Sequence, residues 1–304
     1  MTGAQRAEDP AKGRSRGSVV VVGTPIGNLG DLSPRSAAAL RDADVIACED
    51  TRRTRGLLSH AGITGKPLVA LHRHNEASVS LRLAKQAEEG ETVAVVSDAG
   101  MPIVSDPGAR LVREAIALSV PVTVVPGPSA VTSALALSGL DSTRFCFEGF
   151  LPARGKERSI RVEQLAACRR TTVFFEAPHR LARTLVDLVS ACGPTRKVAL
   201  ARELTKLHEE VWRGTLAEAA QLAQQGNPLG EHTIVLEGAE EPTAPDERAI
   251  SETIGALVEA GDSSRDAADK AALILGVSRR VAYEAALKVK QQGNFSHKGH
   301  PDSP

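Results

Sequence analysis

Short runs of β-branched residues recur along this chain with helix-length stretches between them, and that alternation is the strongest constraint on its fold. Residues 19–22 are four consecutive valines. A run with no polar residue to face water reads as a strand buried on both faces. Strand-like runs follow at 44–47, 68–71, 93–97 and 120–125, separated by helical patterns at 34–41, 51–60, 76–89 and 107–118. This order predicts an α/β layer fold around a mainly parallel sheet. Asp106 before Pro107 predicts the start of the last helix, with the aspartate as N-cap and the proline at the first helical position.

A second series begins near Arg144, with strand-like runs at 145–149, 171–176, 198–201, 211–214 and 233–237 and helical patterns at 157–167, 180–191 and 216–225. Its strands crowd together between 198 and 214, which predicts a mixed sheet. The two series predict an N-terminal α/β domain over 18–142 and a second over 143–239. The polar, proline-bearing stretch 240–245 reads as a linker. Beyond it only helical patterns remain, at 247–260, 264–275 and 278–291, the last two with a helix-turn-helix outline. A small helical domain over 246–292 is expected. The polar ends 1–17 and 293–304 read as disordered tails, and the first lacks the apolar segment of a signal peptide.

Composition narrows the chemistry. Aromatic residues are 3% of the chain, too few for a base-stacking platform. Lys plus Arg and Asp plus Glu are both 37, so net charge argues neither for nor against nucleic acid. The four cysteines form no C-x-x-C pair, which disfavours a zinc knuckle, and Cys48 and Cys146 fall in apolar runs as buried thiols of a reducing compartment. No apolar stretch reaches the roughly 18 residues of a membrane span.

Four glycine- and proline-rich loops follow strand-like runs: Gly23-Thr24-Pro25-Ile26-Gly27-Asn28-Leu29-Gly30, Ser97-Asp98-Ala99-Gly100-Met101-Pro102, Pro126-Gly127-Pro128-Ser129-Ala130 and Gly149-Phe150-Leu151-Pro152. In open α/β sheets ligands sit outside the carboxyl ends of the strands, so loops converging there predict a small-molecule site. The first is neither G-x-G-x-x-G nor a P-loop, which disfavours dinucleotides and a P-loop nucleotide site. Asp98 suits ribose hydroxyls or a cationic ligand, or caps a turn; Ser129 suits a ligand polar group or a helix cap.

Two polar clusters follow other strand ends: Cys48-Glu49-Asp50-Thr51-Arg52-Arg53 and Leu71-His72-Arg73-His74-Asn75-Glu76. Of these, Glu49, Arg52, His72 and Asn75 are read as functional, and Asp50, Arg53, Arg73 and His74 as solvated or capping. No metal is expected at His72 and His74, whose strand-like spacing splits the ligands. Arg180, Arg202 and Lys206 are candidate phosphate binders, with internal ion pairs to Glu203 or Glu231 the competing role.

The strings VVVGTPIGNLGDLSPRSAAAL, IACEDTRRT, LHRHNE, VAVVSDAGMPIVSDPGARLV, VPGPSA, FEGFLP, EAPHR and LARELTKLHEE, in order between about 18 and 237, resemble the ribosomal RNA small-subunit methyltransferase I family. That family is a branch of the tetrapyrrole-methylase-like class of S-adenosylmethionine (SAM) enzymes. The resemblance implies two α/β domains of the class III SAM methyltransferase type with the cofactor between them and a C-terminal helical extension. It implies a cytoplasmic homodimer that methylates the ribose 2′-hydroxyl of a cytidine in 16S rRNA of the small ribosomal subunit. Carried over by motif, the SAM contacts are Pro25, Asp98, Ala99, Gly100, Val104, Ser129 and Ala130, with Phe150 and Ala177 from the second domain. Met101 departs from the family's usual threonine, and Ala177 from a more usual polar residue. For the reaction, Glu49 or His72 is expected as base, with Arg52 orienting the ribose or a phosphate. Asn75, Arg180, Arg202 and Lys206 complete the expected substrate contacts. A tetrapyrrole methyltransferase and a catalytically silent RNA-binding assembly factor are the alternatives.

Overall fold

The computed structural model describes residues 17–226, 230–240 and 245–296. The chain divides into two compact units, Met1–Ala239 and Glu240–Pro304. Apart from Gly17 and 293–296, the expected tails lie outside the described residues, as do residues 241–244 of the expected linker.

The first half of unit 1 is a parallel sheet. Strands β1 (Ser18–Val22), β2 (Val45–Cys48), β3 (Leu68–Ala70), β4 (Thr92–Val96) and β5 (Val122–Val125) lie in the order β3-β2-β4-β1-β5. Helices α1 (Pro34–Asp42), α2 (Thr51–His60), α3 (Glu76–Glu88) and α4 (Ala109–Ala117) cover it. Val19, Val93 and Val95 pack with Leu83 of α3 and Leu111 of α4, while Val22, Ala94 and Val96 pack with Leu40 of α1 and Leu58 of α2. Both faces are buried, which is why the strands read as unbroken apolar runs.

The start of α4 differs from the sequence expectation. The helix begins at Ala109, after Gly108 at φ +120°. Its first amides are satisfied from a neighbouring helix: one carboxylate oxygen of Glu76 accepts from the N–H of Gly108 at 3.0 Å and of Arg110 at 3.1 Å. A long-range cap therefore replaces the local one expected from Asp106, and residues 101–107 form turns. Ile103 (φ +78°) and Ser105 (φ +70°) take left-handed backbone there, a conformation that branched side chains disfavour.

Helix α5 (Ala130–Ser138), of which the sequence offers only a candidate cap at Ser129, joins the halves of unit 1; Ser129 is its N-cap residue but makes no side-chain cap bond. Five further strands follow: β6 (Phe145–Phe150), β7 (Thr171–Glu176), β8 (Lys197–Arg202), β9 (Glu210–Thr215) and β10 (His232–Leu236). Their order is β6-β7-β10-β8-β9; β6 and β7 run parallel and the other pairs antiparallel, so the sheet is mixed, as expected. Helices α6 (Lys156–Ala167), α7 (Pro178–Cys192) and α8 (Leu216–Gln225) bury Val162, Leu181, Leu185 and Leu216 against one face. Helix α5 covers the other, packing Val131, Ala134 and Leu135 on Val173, Ala199 and Val235. It is apolar nearly all round, so it lacks the one-sided periodicity that marks a surface helix.

Unit 2 comprises α9 (Glu247–Glu259), α10 (Ser264–Leu275) and α11 (Arg279–Ser296) around an alanine-rich core with Ile250 and Ile254. Asp246 and Ser263 cap α9 and α10, and Gly276 in left-handed backbone ends α10. Helix α11 runs through Ser296, into the stretch read as a tail. No helix among the described residues is long and apolar enough to cross a membrane.

Candidate functional site: a cleft at the strand ends of unit 1

The carboxyl ends of β1, β2, β4 and β5 and the facing side of the second sheet line a cleft of about 1070 Å³. Its loops are tied to one another. Thr24 donates its N–H to the Gly100 carbonyl at 2.9 Å, and its hydroxyl lies 3.2 Å from that oxygen and 3.3 Å from the Ser97 carbonyl. Gly127 donates to the Met101 sulfur at 3.3 Å. Gly23 and Gly127 approach so closely that a Cβ on Gly23 would stand 2.5 Å from the Gly127 nitrogen. Gly100 sits at φ +83°, where a side chain would strain the backbone. The second sheet joins through Thr205, whose hydroxyl accepts from Asn28 N–H at 3.1 Å. Both Glu203 and Thr205 hold left-handed backbone, at φ +50° and +65°.

The walls are apolar in part, with Ile26, Leu29, Val104, Phe150, Phe175 and Leu204. Phe150 and Phe175 rings are 5.4 Å apart and tilted. The charged lining is Glu49, Asp98, Asp106, Glu203 and Glu231 against Arg53, Arg73 and Lys206. Five carboxylates against three cations leave an excess of negative charge. Asp98 accepts the Asp50 N–H at 3.0 Å and lies 3.6 Å from the Arg53 guanidinium. Burial, then the Asp98 charge, raises the Glu49 carboxyl above its ordinary value. Burial, then the Glu49 charge, pushes Asp106 up to about 6. A carboxyl set among other carboxylates and shielded from water keeps its proton longer.

Of the residues expected from sequence, Pro25, Asp98, Ala99, Gly100, Val104, Ser129, Ala130, Phe150, Glu49 and Lys206 line this cleft. Lys206 is also paired with Glu203 at 2.9 Å. Others are placed elsewhere and engaged internally. Arg52 points outward, 85% exposed, and pairs at 2.9 Å with Asp50, the residue that caps α2. Its guanidinium and N–H hold the Asp50 carboxyl down to about 2. Asn75 builds the turn after β3, accepting from His72 N–H at 2.8 Å and donating to the Ala70 carbonyl at 2.9 Å. His72 sits inside that turn with a buried, unpartnered Nδ1. Arg180 bonds Glu176 at 2.9 Å and donates to the Leu151 and Pro152 carbonyls. Arg202 pairs with Glu210 on the adjacent strand. Ala177 is the N-cap of α7. None of these six is in the lining.

Sequence reasoning missed Asp106, Arg53, Arg73, Thr24 and Met101 as lining residues. The signal for Arg53 was present. With the cap at Asp50, positions 53, 54 and 57 of α2 share a face, and all three line the cleft. Among the described residues no group of three or more His, Cys, Asp or Glu could hold a metal ion.

Comparison with known proteins agrees with this geometry. Residues 18–220 match the family model for tetrapyrrole (corrin/porphyrin) methylases. The chain is 48% identical to the ribosomal RNA small subunit methyltransferase I of Xylella fastidiosa (strain Temecula1) over 271 residues, 88% of this chain and 98% of that one. It is 47% identical to the protein of the same name from Mycobacterium bovis over 280 residues, 91% and 97% of the two chains. A uroporphyrin-III C-methyltransferase structure from Thermus thermophilus superposes with a TM-score of 0.51 at 25% identity, covering 72% of this chain and 94% of that one. A second, complexed with S-adenyl homocysteine, shares the fold at a TM-score of 0.50 and 20% identity over 72% and 97% of the two chains. The matched stretch takes in the whole first sheet, four of the five strands of the second and all of the cleft lining except Gly230, Glu231 and Thr233, and the chain belongs to the tetrapyrrole (corrin/porphyrin) methylase family.

Proposed function

We propose that the cleft of unit 1 binds SAM and that the protein methylates the ribose 2′-hydroxyl of a cytidine in 16S rRNA of the small ribosomal subunit. The observation that carries the cofactor is the lining itself: apolar walls able to hold an adenosyl group, beside an excess of carboxylates suited to a ligand with a sulfonium and an ammonium charge. Pro25, Asp98, Ala99, Gly100, Val104, Ser129, Ala130 and Phe150 would hold it, with Ala177 as an outer contact. When bound, the cofactor supplies an electrophilic methyl group. The chain's own part is to orient the acceptor hydroxyl in line with it and to keep water out, which can account for much of the acceleration. The rRNA substrate is supported by the names of relatives at 47–48% identity. Arg52, Asn75 and Arg202 would serve RNA from outside the cofactor pocket, Lys206 from its wall, and Arg180 by holding the Leu151–Pro152 turn. A cytoplasmic homodimer is the state we expect to act.

Two measurements test this reading. Calorimetry should show one SAM site per chain. Mass spectrometry of ribosomal RNA from cells lacking the gene should show one ribose methyl missing from 16S rRNA. SAM binding with all 16S ribose methyls intact would move the substrate to another class.

A further inference from the structure

Glu76 takes the Gly108 and Arg110 amides at the start of α4, so Asp106 is not that helix's cap. Left-handed Ile103 and Ser105 bring Val104, Ser105 and Asp106 to the cleft wall, and the Arg73 guanidinium donates to the Ser105 carbonyl at 3.3 Å. Asp106 thus lines the same cavity as Glu49, which arrives from the end of β2. Among the described residues nothing donates to the Glu49 carboxylate, and the Ser97 hydroxyl, which bonds the Ala99 and Gly100 carbonyls at 3.3 and 3.4 Å, acts to lower the Asp106 proton affinity. The third acid, Asp98, is already engaged by the Asp50 N–H and by Arg53. His72, an expected base, is not in the lining.

We propose that Glu49 and Asp106 work as one proton-sharing carboxylate pair, with Asp106 accepting the hydroxyl proton of the methyl acceptor. The proposal rests on the methyl-transfer reading of the cleft. Two carboxylates whose charges interact shed their protons in two steps that belong to the pair, the second at the higher pH, and the Glu49 charge is the next cause, after burial, of the raised Asp106. The charges facing the pair are named: Asp98 and Asp50 add to the repulsion, and Arg73 and Arg53 relieve it. Repulsion and burial prevail, as the upward direction of both groups shows. In the step, the hydroxyl proton passes to an Asp106 oxygen as the hydroxyl oxygen takes the methyl carbon. The electron pair of the broken carbon–sulfur bond stays on sulfur, and Asp106 returns its proton to water. A carboxylate whose affinity for protons lies near the working pH is effective in this role.

The test starts on the cofactor-free protein. Carboxyl-carbon NMR should show one aspartate resonance that titrates at about 6, is missing in Asp106→Asn, and moves to lower pH in Glu49→Gln. Single-turnover methylation of small subunits by Asp106→Asn should fall about 100-fold or more, within the span of general-base contributions. SAM affinity by calorimetry should stay within about threefold, the scatter expected of a neutral isostere. An Asp106 titration unmoved by Glu49→Gln overturns the pairing. Full turnover in Asp106→Asn, or a loss of SAM affinity as large as the loss of rate, overturns the base. A wild-type protein that binds SAM and methylates no small subunit overturns the substrate reading instead, and the NMR titration still decides the pair.

Discussion

His232 sits on β10 with 4% of its surface exposed and, among the described residues, no hydrogen-bond partner at either ring nitrogen. Burial, then the Arg202 charge, lowers its proton affinity from 6.5 to about 4. The folded protein therefore carries this ring neutral, while the unfolded chain protonates it below about 6.5. Its contribution to stability is complete above that pH and is lost as pH falls toward 4. Between pH 7.5 and 5 the loss should be about 2 kcal/mol, at 1.36 kcal/mol per pH unit below the unfolded value. Urea unfolding of wild type and His232→Leu at both pH values measures it. The variant should lose about 2 kcal/mol less than wild type on acidification, and equal losses would place the acid sensitivity in other groups. At this scale the sequence was informative where a residue acts through its neighbours in the chain. Ser129 is a candidate from its own loop, Pro25 and Gly100 follow from the family resemblance of theirs, and all three line the cleft. Asp106 was misread because Asp-Pro is a local helix-start signal, and the carboxylate that displaced it comes from Glu76, thirty residues earlier and on another helix. A contact of that range leaves no trace in local pattern.

Elements show the same division. The parallel strands were legible because burial on both faces writes itself as valine runs. Of helix α5 only the possible cap at Ser129 was legible, because the helix packs its apolar surface against the second sheet while belonging by sequence to the first half. The facing of α2 follows from its cap, yet Arg52 and Arg53 look equivalent until the helix phase is fixed. Helix α7 hides a further determinant. Glu176, fully buried at the end of β7, accepts from Ala177 N–H at 2.9 Å, Arg180 at 2.9 Å and the Thr184 hydroxyl at 2.6 Å. Arg158 of α6 bonds that same hydroxyl at 3.0 Å, Asp187 at 2.7 Å and the Pro152 carbonyl at 3.0 Å. The network fastens the turn after Phe150, and so a cleft wall, to α6 and α7. Glu176→Ala would strand the Arg180 charge and should cost about 3–5 kcal/mol in denaturant unfolding. Any folded fraction should bind SAM more weakly, although Glu176 does not line the cleft. A stability loss below about 1 kcal/mol would mean that water replaces the carboxylate at no cost, contrary to its burial.

The whole molecule carries 37 basic and 37 acidic residues, so its net field does not attract a polyanion. The cofactor cleft is acidic and would repel phosphates. Attraction to rRNA must then come from local basic surface beside the cleft. Helix α2 supplies it: Arg53 lines the cleft, and Arg52 and Arg55, on the exposed side, are free of its lining. Arg52 is paired with Asp50, but an exposed pair is worth little and yields readily to a phosphate. If both guanidiniums meet the RNA backbone, each releases counterions and adds about 0.7–0.9 to the slope of log affinity against log salt. Arg52→Ala with Arg55→Ala should therefore flatten the slope by about 1.5 in a fluorescence-anisotropy titration of a 16S rRNA fragment between about 50 and 200 mM salt. SAM affinity should be unchanged, since neither side chain reaches the pocket. An unchanged slope would shift the RNA contact to other basic groups, of which exposed Arg279 and Arg280 at the start of α11 are the first to substitute. A flattened slope places recognition on α2, and an unchanged one leaves it to Arg202 and Lys206 of the same unit or to the helical unit, a distinction that charge counting along the sequence could not make because it is a matter of which basic residues share a surface with the cleft.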